Sequence, residues 1–279
     1  MITRRHFLKA SLTAGASGLA LGGYTWLVEP HWLEIVHHPM PVADLPEALR
    51  GRRIALLSDL HVGTRVSDDY ILDTFRRVTE LSPDIVVFTG DFTSHEPGIF
   101  DHAERIYQHL PQGRLATLGV LGNHDYGVNW AQPQVGQRFI DIFRNAGLRI
   151  LRNEVVDVAG LQVAGLDDLW AQRFDPVRGL AALDRSRPAI ALSHNPDTVD
   201  RPGWEGFHGW IFSGHTHGGQ CKAPFLPPPM LPVKNRRYTA GEFALSGERR
   251  LYISRGVGHL LKVRFNVRPE VTMFELQPA

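Results

Sequence analysis

Short apolar runs that each stop at a polar residue are the feature that most limits how this chain can fold. Three of them lie in the first half of the chain: 53–58 before Asp59, 84–89 before Asp91, and 115–121 before Asn123 and His124. Helical spacing of apolar residues separates them, at 70–81, 99–110 and 137–146. Runs that are apolar throughout suit strands covered on both faces, so this alternation predicts a layered α/β domain.

Further apolar runs predict strands at 33–36, 161–166, 190–193, 210–213, 251–254 and 271–276. A linker containing prolines is expected from the first of these strands to about Pro46. The proline-rich stretch 224–232 predicts an extended surface loop, which is either a plain connector or a rim of the substrate cleft.

Composition limits the partners and the metal chemistry. The 279 residues carry a formal net charge of +1, and no basic tract interleaved with aromatic residues occurs, so nucleic-acid binding is not expected. Cys221 is the only cysteine, which excludes an internal disulfide and a metal site built of thiolates. Any metal ligands must therefore supply oxygen and nitrogen.

The N-terminus is typical of an export signal. Arg4, Arg5 and Lys9 precede an uncharged stretch at 10–28, a pattern that predicts recognition by the twin-arginine export machinery. The stretch is just long enough to span a bilayer, although a helix of the protein core is the alternative. We expect residues 1–29 to form a twin-arginine signal or a retained membrane anchor, with the catalytic domain at 30–279. That domain would lie at the periplasmic face of the inner membrane, or free in the periplasm if the signal is cleaved.

The polar residues after the strands are expected to meet, because ligands of open α/β sheets bind at the carboxyl ends of the strands. His194 follows the run 190–193, and "GHTH" follows 210–213. Taken alone, His215 and His217 could be polar residues of a glycine-rich turn. On an extended backbone, however, residues two apart point the same way, and histidine is the commonest metal ligand.

This set of side chains suits two cations that lie side by side. The Asp91 carboxylate can bridge metals roughly 3.5 to 4 Å apart. Asp59, His61 and His217 would complete one site, and Asn123, His194 and His215 the other. Mixed oxygen and nitrogen ligands with open positions favour Mn, Fe or Zn.

Five motifs in order, "DLH", "GD", "GNHD", a later histidine and "GHTH", resemble the calcineurin-like metallophosphoesterase superfamily. The resemblance covers Asp59 to His217. The "GGQ" after "GHTH", the "RGVG" at 255–258 and the twin-arginine start are similar to exported bacterial phosphodiesterases of the YaeI type. That branch is similar to enzymes that cleave the pyrophosphate of UDP-2,3-diacylglucosamine.

The resemblance implies a four-layer αββα sandwich and the ligand assignment just given. It implies that His124 is catalytic, protonating the leaving oxygen or stabilising charge on the phosphoryl group, and Asp125 would hold the His124 ring in the required tautomer. Many relatives carry an acidic residue where this chain has Ser94, so a further carboxylate near Asp91 is not expected.

The predicted function is hydrolysis of a phosphodiester or pyrophosphate, possibly lipid-linked, by attack of a hydroxide that bridges two divalent metals. A phosphomonoesterase uses the same core and stays open as an alternative. A nuclease is disfavoured because the basic, aromatic-lined surface is missing. A non-catalytic scaffold would have eroded ligands, whereas here every ligand position is filled.

Overall fold

Two six-stranded sheets, each mainly parallel, lie face to face in the computed structural model, which describes residues 3–94, 96 and 98–279. The strands in chain order are β1 (Glu34–Val42), β2 (Arg53–Leu57), β3 (Ile85–Phe88), β4 (Ala116–Gly119), β5 (Arg149–Ile150), β6 (Glu154–Val158), β7 (Leu161–Leu166), β8 (Ala189–Ser193), β9 (Gly209–Ser213), β10 (Gly241–Ala244), β11 (Arg249–Ile253) and β12 (Glu270–Pro278). The helices are α1 (Arg4–Gly23), α2 (Asp68–Glu80), α3 (Ile99–Tyr107), α4 (Pro133–Asn145) and α5 (Pro176–Gly179).

The sheet order places the early strands side by side. The first sheet runs β1-β12-β2-β3-β4-β5, and only the pairing of β12 with β2 is antiparallel. The second runs β10-β11-β9-β8-β7-β6 and is antiparallel only at its two outer pairs. The strands β2, β3 and β4 therefore end at one edge of the first sheet, and β8 and β9 end together in the second.

Alternation along the buried strands divides the apolar core into layers. In β2, Ile54 and Leu56 point between the two sheets, whereas Ala55 and Leu57 point toward the helices. All four side chains are fully buried, as expected of a strand covered on both faces. Complete burial of one such aliphatic side chain contributes about 1.5 to 3 kcal/mol to folding.

Helices α2, α3 and α4 cover the outer face of the first sheet. In α2 the buried residues Ile71, Phe75 and Val78 recur at the spacing of one helical face. They join the same apolar cluster as Ala55 and Leu57. The predicted helices at 70–81, 99–110 and 137–146 are confirmed, with ends that differ by a few residues.

The outer face of the second sheet is covered differently from the predicted helical layer. The helix α5 has only four residues, and large side chains from short turns, including Trp204, Phe207 and Tyr238, pack on the strand residues of this face. The two sheets and the mixed α/β class are as predicted, but the fourth layer consists of turns and loops more than of helices.

The first strand is longer than the sequence predicts. β1 continues from Glu34 through Pro39 and Pro41 to Val42, where a linker was expected. β1 tolerates the two prolines because it is an edge strand. Pro39 and Pro41 are two residues apart, so their backbone groups face the same side of the strand, the side that has no neighbouring strand. The Trp210 indole donates to the Pro41 carbonyl on that side at 2.9 Å.

The N-terminal helix α1 buries none of its residues, so the alternative of a core helix is wrong. Its capping residue Thr3 accepts a hydrogen bond from the His6 amide. Within residues 3–94, 96 and 98–279, no helix has both the length and the apolar character that crossing a membrane requires.

Candidate metal centre

The polar residues predicted at the strand ends meet at the carboxyl ends of the strands of both sheets. Asp59 and His61 follow β2, Asp91 follows β3, Asn123 follows β4, His194 follows β8, and His215 and His217 follow β9. Six of these side chains form two buried clusters whose ligand atoms lie within 4.8 Å of one another in each cluster.

The first cluster consists of Asp59, His61 and His217. The His217 Nε2 lies 3.1 Å from the His61 Nε2 and 3.4 Å from the Asp59 Oδ1. Ser58 Oγ and the His215 amide donate to the Asp59 carboxylate and fix its orientation. Two unprotonated imidazole nitrogens and a carboxylate oxygen facing one another form a donor set for a divalent cation.

The second cluster consists of Asp91, His194 and His215. The His194 Nε2 lies 3.2 Å from the Asp91 Oδ2 and 3.1 Å from the His215 Nδ1. The other ring nitrogens are occupied, because His194 Nδ1 is bonded to the Thr89 carbonyl at 2.7 Å and His215 Nε2 to the Pro232 carbonyl at 2.9 Å. Such contacts fix the ring orientation of metal-binding histidines.

Asp91 lies between the two clusters. Its Oδ2 is 3.2 Å from the His194 Nε2 on one side and 3.7 Å from the His61 Nε2 on the other. Its Oδ1 accepts the His124 amide at 2.9 Å, so the backbone holds the carboxylate at this boundary. One carboxylate oxygen therefore reaches both groups of ligands.

Asn123 provides an independent test of whether a cation fits. Its side chain is fully buried, and among the described residues neither its Oδ1 nor its Nδ2 has a hydrogen-bond partner. A buried amide without partners is costly to the fold. A cation bound through the Oδ1 would satisfy the carbonyl end of this amide, so the donor set fits metal ligation.

Burial controls the protonation of the first cluster. It lowers the pKa of His61 to about 3, and it lowers the pKa of His217 well below its ordinary value, an effect to which the neighbouring His61 ring adds. It also raises the pKa of Asp59 to about 7. The imidazoles are therefore neutral at physiological pH and present free lone pairs.

In the second cluster, charge pairing competes with burial. Burial lowers the pKa of His215 to about 3. Burial alone would also raise the pKa of Asp91, but the neighbouring His194, His124 and His61 outweigh it and hold that pKa well below its ordinary value. Conversely, Asp91 outweighs burial at His194 and raises the His194 pKa. Asp91 and His194 would hold a cation here through the same two atoms that now face each other, Oδ2 and Nε2.

Several side chains of the centre sit on strained backbone. Asp59, His61, Asp91, His215 and His217 all have φ between +49° and +69°. Residues other than glycine rarely adopt this left-handed region, at a cost of about 1 to 3 kcal/mol each. Sharp turns at the strand ends thus point these side chains into one space, which the sequence motifs do not reveal.

His124 and Asp125 are placed differently from each other. The His124 ring is partly exposed and lies edge-on to the His61 ring, with centroids 5.2 Å apart, so it can reach a ligand at the clusters. Asp125 does not orient that ring as predicted. Its two carboxylate oxygens accept the backbone amides of Gly122 and Thr93, at 2.8 and 3.2 Å, and so tie the loops after β3 and β4 together.

Two supporting groups were missed by the sequence analysis. Arg264 is fully buried and donates to the carbonyls of Arg255, Gly256, Gly258 and Val267. This holds the "RGVG" segment, 255–258, against the end of β2, where the Gly258 amide donates to the Asp59 carbonyl at 2.7 Å.

The second group is the segment after β7, which carries Asp168 and Trp170. The Trp170 ring lies 4.3 Å from the His215 ring, measured between centroids. The rule that strand ends carry functional groups would have indicated this second segment.

The profile of the calcineurin-like phosphoesterases matches residues 52–219, which include both clusters and their loops. The chain belongs to this family. Enzymes of the family use two divalent metals, and the two clusters of this chain match that requirement.

Full-length relatives agree with the family. The chain is 33% identical to phosphodiesterase YaeI of Escherichia coli, over 99% of this chain and all of the relative. It is 31% identical to the uncharacterized metallophosphoesterase YkuE of Bacillus subtilis, over 99% and 98% of the two chains. It is 28% identical to the UDP-2,3-diacylglucosamine pyrophosphatase LpxG of Chlamydia trachomatis, over 96% and 98%. The chain is therefore a metallophosphoesterase with phosphodiesterase and pyrophosphatase relatives.

Proposed function

We propose that this metallophosphoesterase hydrolyses a phosphodiester or pyrophosphate at the two clusters, with Asp91 as the ligand common to both cations. The position of the Asp91 Oδ2, within 3.7 Å of imidazole nitrogens from each cluster, carries this assignment. Asp59, His61 and His217 then hold one cation, and Asn123, His194 and His215 the other.

The residues of the chain divide the work of the reaction. When bound, the two cations neutralise the phosphate oxygens and acidify a water molecule as the source of the nucleophile. His124 is partly exposed beside the first cluster, so its ring is placed to donate a proton to the departing oxygen. Asp125 keeps the His124 loop and the Asp91 loop in register through backbone hydrogen bonds.

The ligand chemistry favours Mn, Fe or Zn as the cations. Four imidazoles, an amide and two carboxylates form a mixed nitrogen and oxygen set, whereas Mg and Ca prefer shells of oxygen alone. Elemental analysis of the purified protein identifies the pair.

The decisive experiment compares Asp91→Ala with a matched change outside the centre. After metal depletion and reconstitution, the unmodified protein should hydrolyse bis(4-nitrophenyl) phosphate faster than 4-nitrophenyl phosphate. Asp91→Ala should lose this activity with little change in circular dichroism, and Asp73→Ala, at an exposed site on α2, should retain it. Full activity of Asp91→Ala would refute the assignment, and a preference for the monoester would favour the alternative of a phosphomonoesterase.

We further propose that residues 1–29 are a twin-arginine signal or a membrane anchor, and that the catalytic domain works at the periplasmic face of the inner membrane or in the periplasm. Arg4 and Arg5 at the start of the exposed helix α1 support this proposal. A lipid-linked substrate is compatible with it, since one relative is a UDP-2,3-diacylglucosamine pyrophosphatase.

Location also discriminates between substrates. UDP-2,3-diacylglucosamine is made on the cytoplasmic face of the membrane, so a periplasmic domain points to a different phosphodiester. Digestion of intact spheroplasts with protease tests this: a degraded domain supports the periplasmic location, and a protected domain contradicts it and favours the lipid precursor.

A further inference from the structure

Burial begins abruptly at Glu29, which lies between the exposed helix α1 and the strand β1. The three residues before it are exposed: Trp26, Leu27 and Val28. Glu29 itself is 1% exposed, and Pro30 is buried as well. A carboxylate is costly to bury unless it accepts hydrogen bonds. The burial of Glu29 therefore indicates that this residue belongs to the catalytic domain and not to a removable export segment.

The Glu29 carboxylate binds a segment near the C-terminus. Its Oε1 accepts the amide of the buried Val267 at 2.7 Å. The Thr25 carbonyl accepts the Arg264 amide at 3.0 Å. Residues 25 and 29 thus hold both ends of the 264–267 segment. Removal of Glu29 would leave a buried amide without its acceptor, which destabilises the segment.

The Arg264 side chain extends this contact to a metal ligand. Its guanidinium donates to the Val267 carbonyl at 3.1 Å and to the Gly258 carbonyl at 2.7 Å. The Gly258 amide in turn donates to the Asp59 carbonyl at 2.7 Å. A continuous series of hydrogen bonds therefore links Glu29 to Asp59.

The link is strong because Arg264 carries a charge. Burial lowers the Arg264 pKa only to about 10, so the guanidinium stays protonated at physiological pH. Hydrogen bonds from a charged donor are about twice as strong as those between neutral groups. A displacement of the 264–267 segment is therefore passed on to the 255–258 segment.

A second contact runs from the same part of the chain to the 255–258 segment. The His31 ring lies edge-on to the Tyr70 ring, with centroids 5.4 Å apart. The Tyr70 hydroxyl donates to the Val257 carbonyl at 3.2 Å. Two routes, from Glu29 and from His31, therefore reach the same segment.

We propose that Glu29 is a positioning residue of the metal centre and remains part of the mature protein. It belongs to neither cluster and acts through Arg264 on the segment that holds Asp59. Any cleavage of the export signal then falls before Glu29. The positioning role is independent of the proposed phosphoesterase activity, whereas the statement on cleavage rests on the proposed export.

Manganese binding to Glu29 variants of the full chain tests the positioning role, with free manganese measured by electron paramagnetic resonance. Glu29→Ala should bind manganese about 10-fold more weakly at the first cluster, the low end of what groups supporting metal ligands contribute. Glu29→Asp keeps the charge but is one methylene too short to reach the Val267 amide, so its affinity should fall as well. Glu29→Gln keeps an oxygen at the acceptor position and should retain most of the affinity.

Controls separate positioning from a general loss of stability. Circular dichroism shows whether each variant is folded during the titration, and in a merely structural role a folded variant would keep the parental affinities. Glu47→Ala, at an exposed carboxylate paired with Arg50, should keep them too. Parental affinity in Glu29→Ala, or equal weakening in Glu29→Gln and Glu29→Ala, would overturn the proposal. If Glu29→Ala does not fold, the comparison of Glu29→Asp with Glu29→Gln decides the same point.

The N-terminus of the mature protein tests the statement on cleavage. Intact mass and N-terminal sequencing of the protein from the cell envelope should give an uncut chain or a first residue at or before Glu29. A first residue after Glu29 would overturn the proposal. A protein that stays in the cytoplasm with its N-terminus intact would contradict export alone. A protein whose manganese affinity depends on Glu29, but which leaves bis(4-nitrophenyl) phosphate intact, would contradict the phosphoesterase function alone.

Discussion

Each oxygen of the Asp91 carboxylate has a separate role. Oδ1 accepts the His124 amide, and Oδ2 faces His194 and His61. A movement of the loop after β4 therefore moves the carboxylate that reaches both clusters, and the proposed proton donor sits on that same loop. The geometry of binding and the geometry of proton transfer are coupled through one backbone hydrogen bond.

His124→Gln should lower kcat for bis(4-nitrophenyl) phosphate by about 10²- to 10⁴-fold, because a positioned acid contributes that much. The ring belongs to neither cluster, so the metal content of the variant should equal that of the unmodified protein. Steady-state kinetics together with elemental analysis measure both. His109→Gln, at an exposed histidine, serves as the control. Metal loss in His124→Gln would show that His124 acts as a ligand.

At the residue scale, the sequence predicted which side chains meet but not how each is held. The motifs indicated Asp59, Asp91 and the histidines because carboxylates and imidazoles at strand ends are typical of metal sites. They misassigned Asp125, because an acid next to a histidine suggests that the two side chains are partners. The Asp125 oxygens instead accept the backbone amides of Gly122, in the same loop, and Thr93, in the loop after β3. Ser94 occupies the position where many relatives carry an acidic residue, and its hydroxyl oxygen lies 3.5 Å from the His61 Nδ1.

At the scale of elements, the 255–258 segment supports the end of β2 from outside the metal clusters. The Val257 amide donates to the Ser58 carbonyl at 2.9 Å, and the Gly258 amide donates to the Asp59 carbonyl. A Cβ added to Gly256 would lie 2.8 Å from the Asp59 Cβ, which is closer than such atoms approach. The glycine thus allows the segment to pack directly on a proposed metal ligand.

Gly256→Ala should therefore displace Asp59 and reduce the bound metal, whereas Gly247→Ala should not. Both glycines have φ of 70°, so both variants incur the same backbone penalty of about 1 to 2 kcal/mol, but the space around Gly247 is open. Metal content and kcat are measured for both variants. For Gly256→Ala alone we expect kcat to fall at least about tenfold, which corresponds to roughly 1.4 kcal/mol in activation free energy. Equal behaviour of the two variants would contradict the steric argument.

Most elements were predictable from local patterns, and the exceptions have identifiable causes. The strands β2, β3, β8 and β9 are apolar except for Arg53, Ser193 and Ser213 at their ends, and a continuous apolar run indicates burial on both faces. β10 was missed because Gly241–Ala244 alternates partly buried and exposed residues at a sheet edge, with no continuous apolar run. The insertion of β12 between β1 and β2 depends on pairing over the whole chain, so no local pattern indicates it.

At the scale of the whole molecule, the two clusters draw on both sheets. Asp59 and His61 come from the first sheet and His217 from the second; Asp91 and His194 are divided in the same way. A cation at either cluster therefore joins the sheets, and its binding adds to the free energy of unfolding of the entire domain.

Removal of metal should lower the melting temperature. A ligand at 100 times its Kd stabilises a protein by about 2.7 kcal/mol, which corresponds to roughly 5 to 10 °C for a domain of this size. Differential scanning calorimetry before and after treatment with a chelator, and after return of manganese, measures the shift. In Asp91→Ala the shift should be smaller, and an unchanged melting temperature in the parent protein would contradict metal binding between the sheets.

The N-terminal proposal makes a prediction at the same scale. Replacing Arg4 and Arg5 together by lysine keeps the charge but removes the guanidinium pair, so export should fall while hydrolysis by the purified protein is unaffected. Cell fractionation followed by immunoblotting measures it. Normal export of the double variant would mean that another route is used.

The position of β12 sets when the centre can assemble during protein synthesis. This strand is translated after every other strand described, yet it is the partner that covers the open edge of β2. Until the ribosome has made residues 270–278, the strand that leads into Asp59 and His61 is paired with β3 on one side only. We therefore expect cation binding at Asp59 and His61 to be stabilised only after β12 has been made.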